Sequence, residues 1–372
     1  MTSAADPPRR SGFSLSGRAR VLLPLMLMLL LAASIHRLAC APPPLAQAEF
    51  VGESMGTSWS VKLAVVDLDA AERAEVKRTI EFELRAVDEA MSTWRLDSEL
   101  SRFNAHGSTE PFPVSNELLA VFRIASEVSE LSGGAFDVTV GPVVAAWGFG
   151  ATDRIPAPPP PEELEQLRER VGYRLVEVQA GALRKSRGDV VCDLSAIAKG
   201  FAVDRVAEAL SELGYRDYLV EVGGEIRARG QRRGGGFWRV AIERPDAGVR
   251  DAFDVLPLRD VALATSGDYR NFYQSGGRRY SHTIDPRTAR PIEHALASVS
   301  VLHRDAVYAD ALATALNVLG SEAGYSLAER EGLAALFIVR EADAAFSARA
   351  TPAFEAARAG AATAPDAPPS DR

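Results

Sequence analysis

Between residues 49 and 355, helical and strand patterns succeed one another irregularly, and this order constrains the fold more than any other feature. Apolar residues recur with helical spacing at Ile80, Leu84, Val87 and Met91, which predicts a helix over Ala70–Met91. A second is expected over Asn116–Leu131, with Leu118, Phe122, Ala125 and Val128 on one face and Gly133-Gly134 as its stop. A third is expected over Ile197–Leu213 and a fourth over Asp305–Leu319. Phe50–Val66 reads as strand, turn, strand around Met55-Gly56-Thr57, Tyr218–Val222 as a strand, and several more strands fill residues 226–302. A doubly wound parallel sheet needs helices and strands in regular alternation, so an α+β body is expected, with mixed or antiparallel sheets packed against helices.

The chain has three parts: an export segment at residues 1–48, a folded body at 49–355, and an Ala/Pro-rich tail at 356–372 expected to be disordered. Val21–Ile35 is an apolar run of about 15 residues behind an arginine-bearing stretch, short for a membrane span and suited to a signal peptide. Three exits are open. Arg37-Leu38-Ala39-Cys40 is similar to a lipoprotein box, Ala46-Gln47-Ala48 offers ordinary cleavage, and an uncleaved anchor is the third. The net charge is −8, and residues 1–48 hold five arginines against one aspartate, so the body is more acidic than the whole. That argues against a nucleic-acid partner, which needs clustered Lys/Arg. Two distant cysteines and five scattered histidines leave no zinc cage of the Cys/His kind.

Four segments carry chemistry. In Tyr308–Thr314 (YADALAT), Asp310 and Thr314 stand at i and i+4, so a carboxylate and a hydroxyl project together among small alanines. Oxygen ligands of this kind suit Mg²⁺, which binds together with substrate phosphates. Asp193–Gly200 (DLSAIAKG) is a polar turn opening a helix whose N–H groups and positive dipole end favour phosphate. Lys199 in that first turn opposes the dipole and calls for an anionic neighbour. Gly134–Pro142 (GAFDVTVGP) leads to Trp147-Gly148-Phe149-Gly150, where Phe136 and Trp147 offer flat apolar surfaces to a ring or simply pack in the core. Thr265–Arg270 (TSGDYR) precedes Ser281–Thr288 (SHTIDPRT), whose His282 is either a general base for a hydroxyl or a histidine satisfied by Asp285.

In this order, together with Gly52–Trp59 (GESMGTSW), Met91–Arg95 (MSTWR) and Val222–Glu225 (VGGE), these segments resemble the ApbE family of FAD:protein FMN transferases over roughly residues 50–340. The resemblance implies a T-fold-like α+β body. It also implies transfer of FMN from FAD to a Thr or Ser hydroxyl of a partner protein, Mg²⁺-dependent, with release of AMP. It places Met55, Trp94, Ala135, Phe136, Asp137, Lys199 and Ile284 at the FAD contacts. Ala196 (through its carbonyl), Asp310 and Thr314 fall on the magnesium ligands, and His282 on the catalytic base. Ala313 stands where some members have a further acidic residue beside the metal, Lys199 where some members are acidic, and Ala289 where a glycine is common. The implied acceptor is a membrane redox-complex subunit presenting a flavinylation motif, and the implied location is the periplasmic side of the cell inner membrane. Water in place of the hydroxyl would make the chain an FAD pyrophosphatase yielding FMN and AMP. A chain that only held flavin would be a binding lipoprotein.

Overall fold

A computed structural model describes residues 47–363, apart from residues 66, 247–250, 270 and 343–344. The export and anchoring expectations at residues 1–46 lie outside the described residues.

Alternating apolar residues build an eight-stranded sheet covered on both faces. Its strands, in spatial order, are Ala48–Ser54, Thr57–Leu63, Tyr218–Val222, Glu225–Arg229, Val261–Gly267, Leu296–His303, Ala334–Arg340 and Phe346–Ala350. Every neighbouring pair is antiparallel. In Ala334–Arg340, Ala335 and Phe337 enter the main core while Leu336 and Ile338 enter a second core on the opposite face. A period of two requires that division.

The main core lies under the helices Ala70–Met91, Asn116–Leu131, Ala198–Glu212 and Ala306–Arg330. Asp69 starts the first of these with a capping box: it accepts from Ala71 and Glu72 N–H, and Glu72 accepts from Asp69 N–H. Such caps are worth about 1 kcal/mol. The helix buries Val76, Ile80, Leu84, Val87 and Met91, the face that the periodicity predicts. The second core is closed by the hairpin Trp238–Glu243/Ala252–Leu258 and by Phe354 of the last helix. A third, smaller cluster joins Val143, Trp147, Phe149, Leu164, Ile284 and Ala289.

Two boundaries differ from expectation. The fourth helix runs on to Arg330 across a break at Gly320 (φ 82°), where an added Cβ would sit 2.9 Å from the His294 ring. The apolar pattern to Leu319 therefore marked one limb of a broken helix. The tail expected to be disordered from residue 356 instead starts inside the helix Pro352–Thr363, anchored by Phe354. Alanine has high helix propensity, and the buried Phe354 ring together with the Arg358–Asp254 ion pair docks the segment.

Candidate active site

The helices Ala198–Glu212 and Ala306–Arg330 touch at Gly200. Its N–H donates to Asp310 Oδ2 at 2.9 Å, between residues 110 apart in sequence. A Cβ at Gly200 would lie 2.4 Å from the Ala306 carbonyl oxygen and 2.8 Å from Asp310 Cβ, so only glycine permits this approach. Asp310 is buried, and Thr314, one turn further, is half-buried.

Lys199 has the anionic neighbour its position calls for. Its Nζ lies 2.6 Å from Oε1 of Glu225, on the strand beyond Gly223-Gly224. Burial pulls the Lys199 pKa down, but the charges of Asp310 and Glu225 more than offset this and hold it above its ordinary value. Burial pushes the Glu225 carboxyl up to about 7, against the pull of Lys199. Oε2 of Glu225 is buried without a partner. Two carboxyl groups thus surround one ammonium, leaving an unmet demand for positive charge. At Gly223 an added Cβ would meet Thr57 and the Lys199 stem, which places the Met55-Gly56-Thr57 turn beside the same cluster. Met55 itself has φ 52° at the tip of that turn.

The polar turn before the helix is held from two sides. Asn104 pairs with Cys192 like a neighbouring strand, its Nδ2 donating to the Cys192 carbonyl and its Oδ1 accepting from Cys192 N–H, both at 2.8 Å. Asp193 N–H donates to the Val138 carbonyl at 2.7 Å, joining the DLSAIAKG and GAFDVTVGP segments. The expected backbone cradle for phosphate is largely used up, however. The N–H groups of Ile197 and Ala198 bond the Leu194 carbonyl, that of Phe201 bonds Ile197, and that of Gly200 bonds Asp310. The positive end of the dipole remains, but most of its hydrogens serve the protein itself.

The Gly133-Gly134 stop, both in the left-handed region, aims Ala135, Phe136 and Asp137 inward, and all three are buried. Asp137 Oδ1 accepts from Thr139 N–H (2.8 Å) and Oγ1 (2.6 Å), while burial raises its pKa. Phe136 and Trp147 are core residues, the latter donating through Nε1 to the Ala289 carbonyl at 2.9 Å. Ala289 itself has φ 56°, the conformation that glycine would adopt there without strain.

His282 follows the short hairpin Phe272–Ser275/Arg278–Ser281. Its Nδ1 is 3.0 Å from the Asn271 carbonyl, and Asp285 pairs with Arg287 instead. A carbonyl only accepts, so Nδ1 carries the proton and Nε2 presents the basic lone pair. Burial lowers the His282 pKa, the Asn271 bond raises it, Lys199 lowers it and Asp268 raises it, with a net fall. The Phe149 ring stands edge-on to His282 with centroids 6.4 Å apart, and an added Cβ at the adjacent Gly150 would lie 3.8 Å from Asp193 Oδ2. Asp268 fixes this hairpin to the sheet: it receives Arg279 Nη1 at 2.8 Å and Arg340 Nη2 at 3.2 Å.

The structure therefore brings Lys199 and Asp310 together beside the turn that carries Met55, joins the segment of Asp137 to the Asp193 turn through the Val138–Asp193 bond, and seats His282 against the Phe149 ring. Ile284 is buried in the third cluster with Trp147 and Phe149. Trp94 stands apart, 72% exposed, on a loop pinned by Arg95 to Asp88 and Asp97. Sequence reasoning assigned no role to Glu225, Asp268 or Asn104. At Glu225 the signal was its place in the VGGE segment that resembles the family, at the start of a strand.

The fold is α+β, and the site joins the Lys199–Glu225 ion pair to Asp310, with His282 at the end of a neighbouring hairpin. The sequence pattern of the ApbE family matches residues 55–337, and the chain belongs to that family. It is similar to a Vibrio cholerae protein named FAD:protein FMN transferase, 43% identical over 311 residues, covering 84% of this chain and 93% of that protein. The solved structure of the flavin transferase ApbE from Vibrio cholerae superposes with a TM-score of 0.77 at 42% identity, covering 84% of this chain and 99% of that one. The apo flavinyl transferase ApbE of Pseudomonas stutzeri gives the same TM-score at 38% identity, covering 84% and 97%.

Proposed function

We infer that this chain is a flavinyltransferase that moves FMN from FAD to a target protein. The observation that carries the reading is the buried Lys199–Glu225–Asp310 cluster, tied by the Lys199–Glu225 ion pair and the Gly200–Asp310 hydrogen bond within the segments that match the family. A hydroxyl oxygen of the acceptor attacks the FMN-side phosphorus of FAD. The new P–O bond forms as the bond to the AMP phosphate breaks, AMP leaves, and the hydroxyl proton passes to His282 Nε2.

Among the described residues no three His, Cys, Asp or Glu side chains gather as a metal cage. The family resemblance implies Asp310, Thr314 and the Ala196 carbonyl as donors, and the structure adds a buried, unpartnered Glu225 oxygen in the charge cluster of Asp310. This sparse, hard-oxygen set fits Mg²⁺ completing its shell with waters and substrate phosphates. When bound there, Mg²⁺ would offset charge on the pyrophosphate. Lys199 adds fixed positive charge, and the buried walls around Asp137 exclude water.

The test is incubation with FAD, Mg²⁺ and a membrane redox-complex subunit that offers a Thr or Ser in a flavinylation motif, the acceptor class we propose. Covalent flavin on the acceptor with one AMP per transfer is expected. Free FMN with no labelled acceptor would mark hydrolysis, and unchanged FAD a flavin carrier. We further propose that the enzyme works on the periplasmic side of the cell inner membrane, held by a lipid at Cys40 or by a signal anchor, as Val21–Ile35 suggests. Recovery of the full chain in the cytoplasmic fraction would refute this.

A further inference from the structure

The helix that bears Asp310 and Thr314 is not capped by its own N-cap residue: the Asp305 side chain makes no capping hydrogen bond. The cap comes from another helix. Asp204 Oδ1 accepts from Ala306 N–H at 3.0 Å, and Oδ2 accepts from Val307 N–H at 2.9 Å. Arg227, from the strand Glu225–Arg229, bonds the same carboxylate and also faces Asp305 at 3.8 Å. Asp204 is 6% exposed and lies one turn beyond Gly200, while Ala306 lies one turn before Asp310. The antiparallel helices are therefore pinned at two successive turns, at Gly200–Asp310 and at Asp204–Ala306/Val307. Both pins must hold for Asp310, Thr314 and Lys199 to keep a common geometry.

We propose that Asp204, held by Arg227, is a positioning residue for the transfer reaction: it fixes the first turn of the Asp310/Thr314 helix against the Lys199 helix and so pre-forms the cation site. This rests on the magnesium reading above. Without the cap the first turn frays, and only the fraction of molecules with an ordered turn binds the ion, so the apparent affinity falls by that fraction. Saturating ion restores the ordered state.

The test titrates Mg²⁺ against wild type, Asp204→Ala, Asp204→Asn and Asp305→Ala, reading the rise in thermal midpoint as well as transfer rate. Asp204→Ala should need about tenfold more Mg²⁺ for half-effect in both readouts, while kcat at saturating Mg²⁺ stays near wild type. Asp204→Asn, which keeps one acceptor, should fall between, and it serves as the reporter if the alanine variant does not fold. Asp305→Ala should leave the Mg²⁺ dependence unchanged. A lower midpoint with wild-type Mg²⁺ half-saturation in both Asp204 variants would overturn the proposal and reduce the residue to a structural cap. If Mg²⁺ changes neither readout in wild type, the magnesium reading fails and this proposal falls with it. A response in wild type that both variants share unaltered defeats the positioning role alone.

Discussion

Gly200→Ala is the smallest change that should break the site without touching a reacting group. The new Cβ would sit 2.4 Å from the Ala306 carbonyl oxygen, 2.8 Å from the Ala306 carbonyl carbon and 2.8 Å from Asp310 Cβ. Ordinary contact begins near 3.4 Å, and the obstructing atoms are backbone and a short side-chain stem rather than a flexible tip. The helices must part by roughly 1 Å, close to the separation at which packed atoms recover normal contact. That displacement stretches the 2.9 Å Gly200–Asp310 bond beyond hydrogen-bonding distance. Overpacking costs about 1–3 kcal/mol, and an orphaned buried N–H or carboxylate adds about 1–3 kcal/mol. Urea unfolding should therefore show a loss of about 2–6 kcal/mol. Transfer assayed below the unfolding transition should fall in step, because Asp310 has moved relative to Lys199. Wild-type stability and activity in Gly200→Ala would refute the close approach and the positional role given to this helix pair.

His282→Ala should slow single-turnover transfer by about 10²- to 10⁴-fold while FAD affinity stays near wild type; weakened binding with unchanged turnover would make His282 a ligand contact instead. Because burial lowers its pKa and the base must be neutral, the wild-type rate should rise with pH and level off with a midpoint below about 6.5, and this acid limb should vanish in the variant. A midpoint above that value would contradict the environment described. Asp310→Ala should abolish Mg²⁺-dependent transfer and also lower stability by about 1–3 kcal/mol, since the Gly200 N–H loses its acceptor; full activity at limiting Mg²⁺ would exclude the role. Glu225→Leu should destabilise by about 1–3 kcal/mol by removing the hydrogen-bonded partner of Lys199, which keeps only the charge of Asp310, and adding Lys199→Met should recover part of that loss; additive effects in the cycle would show that the pair is not coupled.

What the sequence determined by itself was everything governed by local spacing. Helical periodicity set Ala70–Met91 and Asn116–Leu131, irregular alternation argued against a parallel doubly wound sheet, and the i, i+4 relation put Asp310 and Thr314 on one helix face. Family resemblance collected His282, Lys199 and Asp137 from distant segments without saying what holds them. Tertiary structure decided the rest, because the deciding partners come from far along the chain. Lys199 demanded an anion from its place in a helix's first turn, yet only pairing of the strand Glu225–Arg229 in the sheet identified Glu225. The helix start that reads as a phosphate cradle spends most of its N–H groups on Leu194, Ile197 and Asp310, which no propensity reveals. The same holds for His282, whose basic nitrogen is chosen by the Asn271 carbonyl that the hairpin brings to Nδ1. Periodicity is a property of one segment, whereas protonation, capping and charge balance are properties of the neighbours that folding supplies.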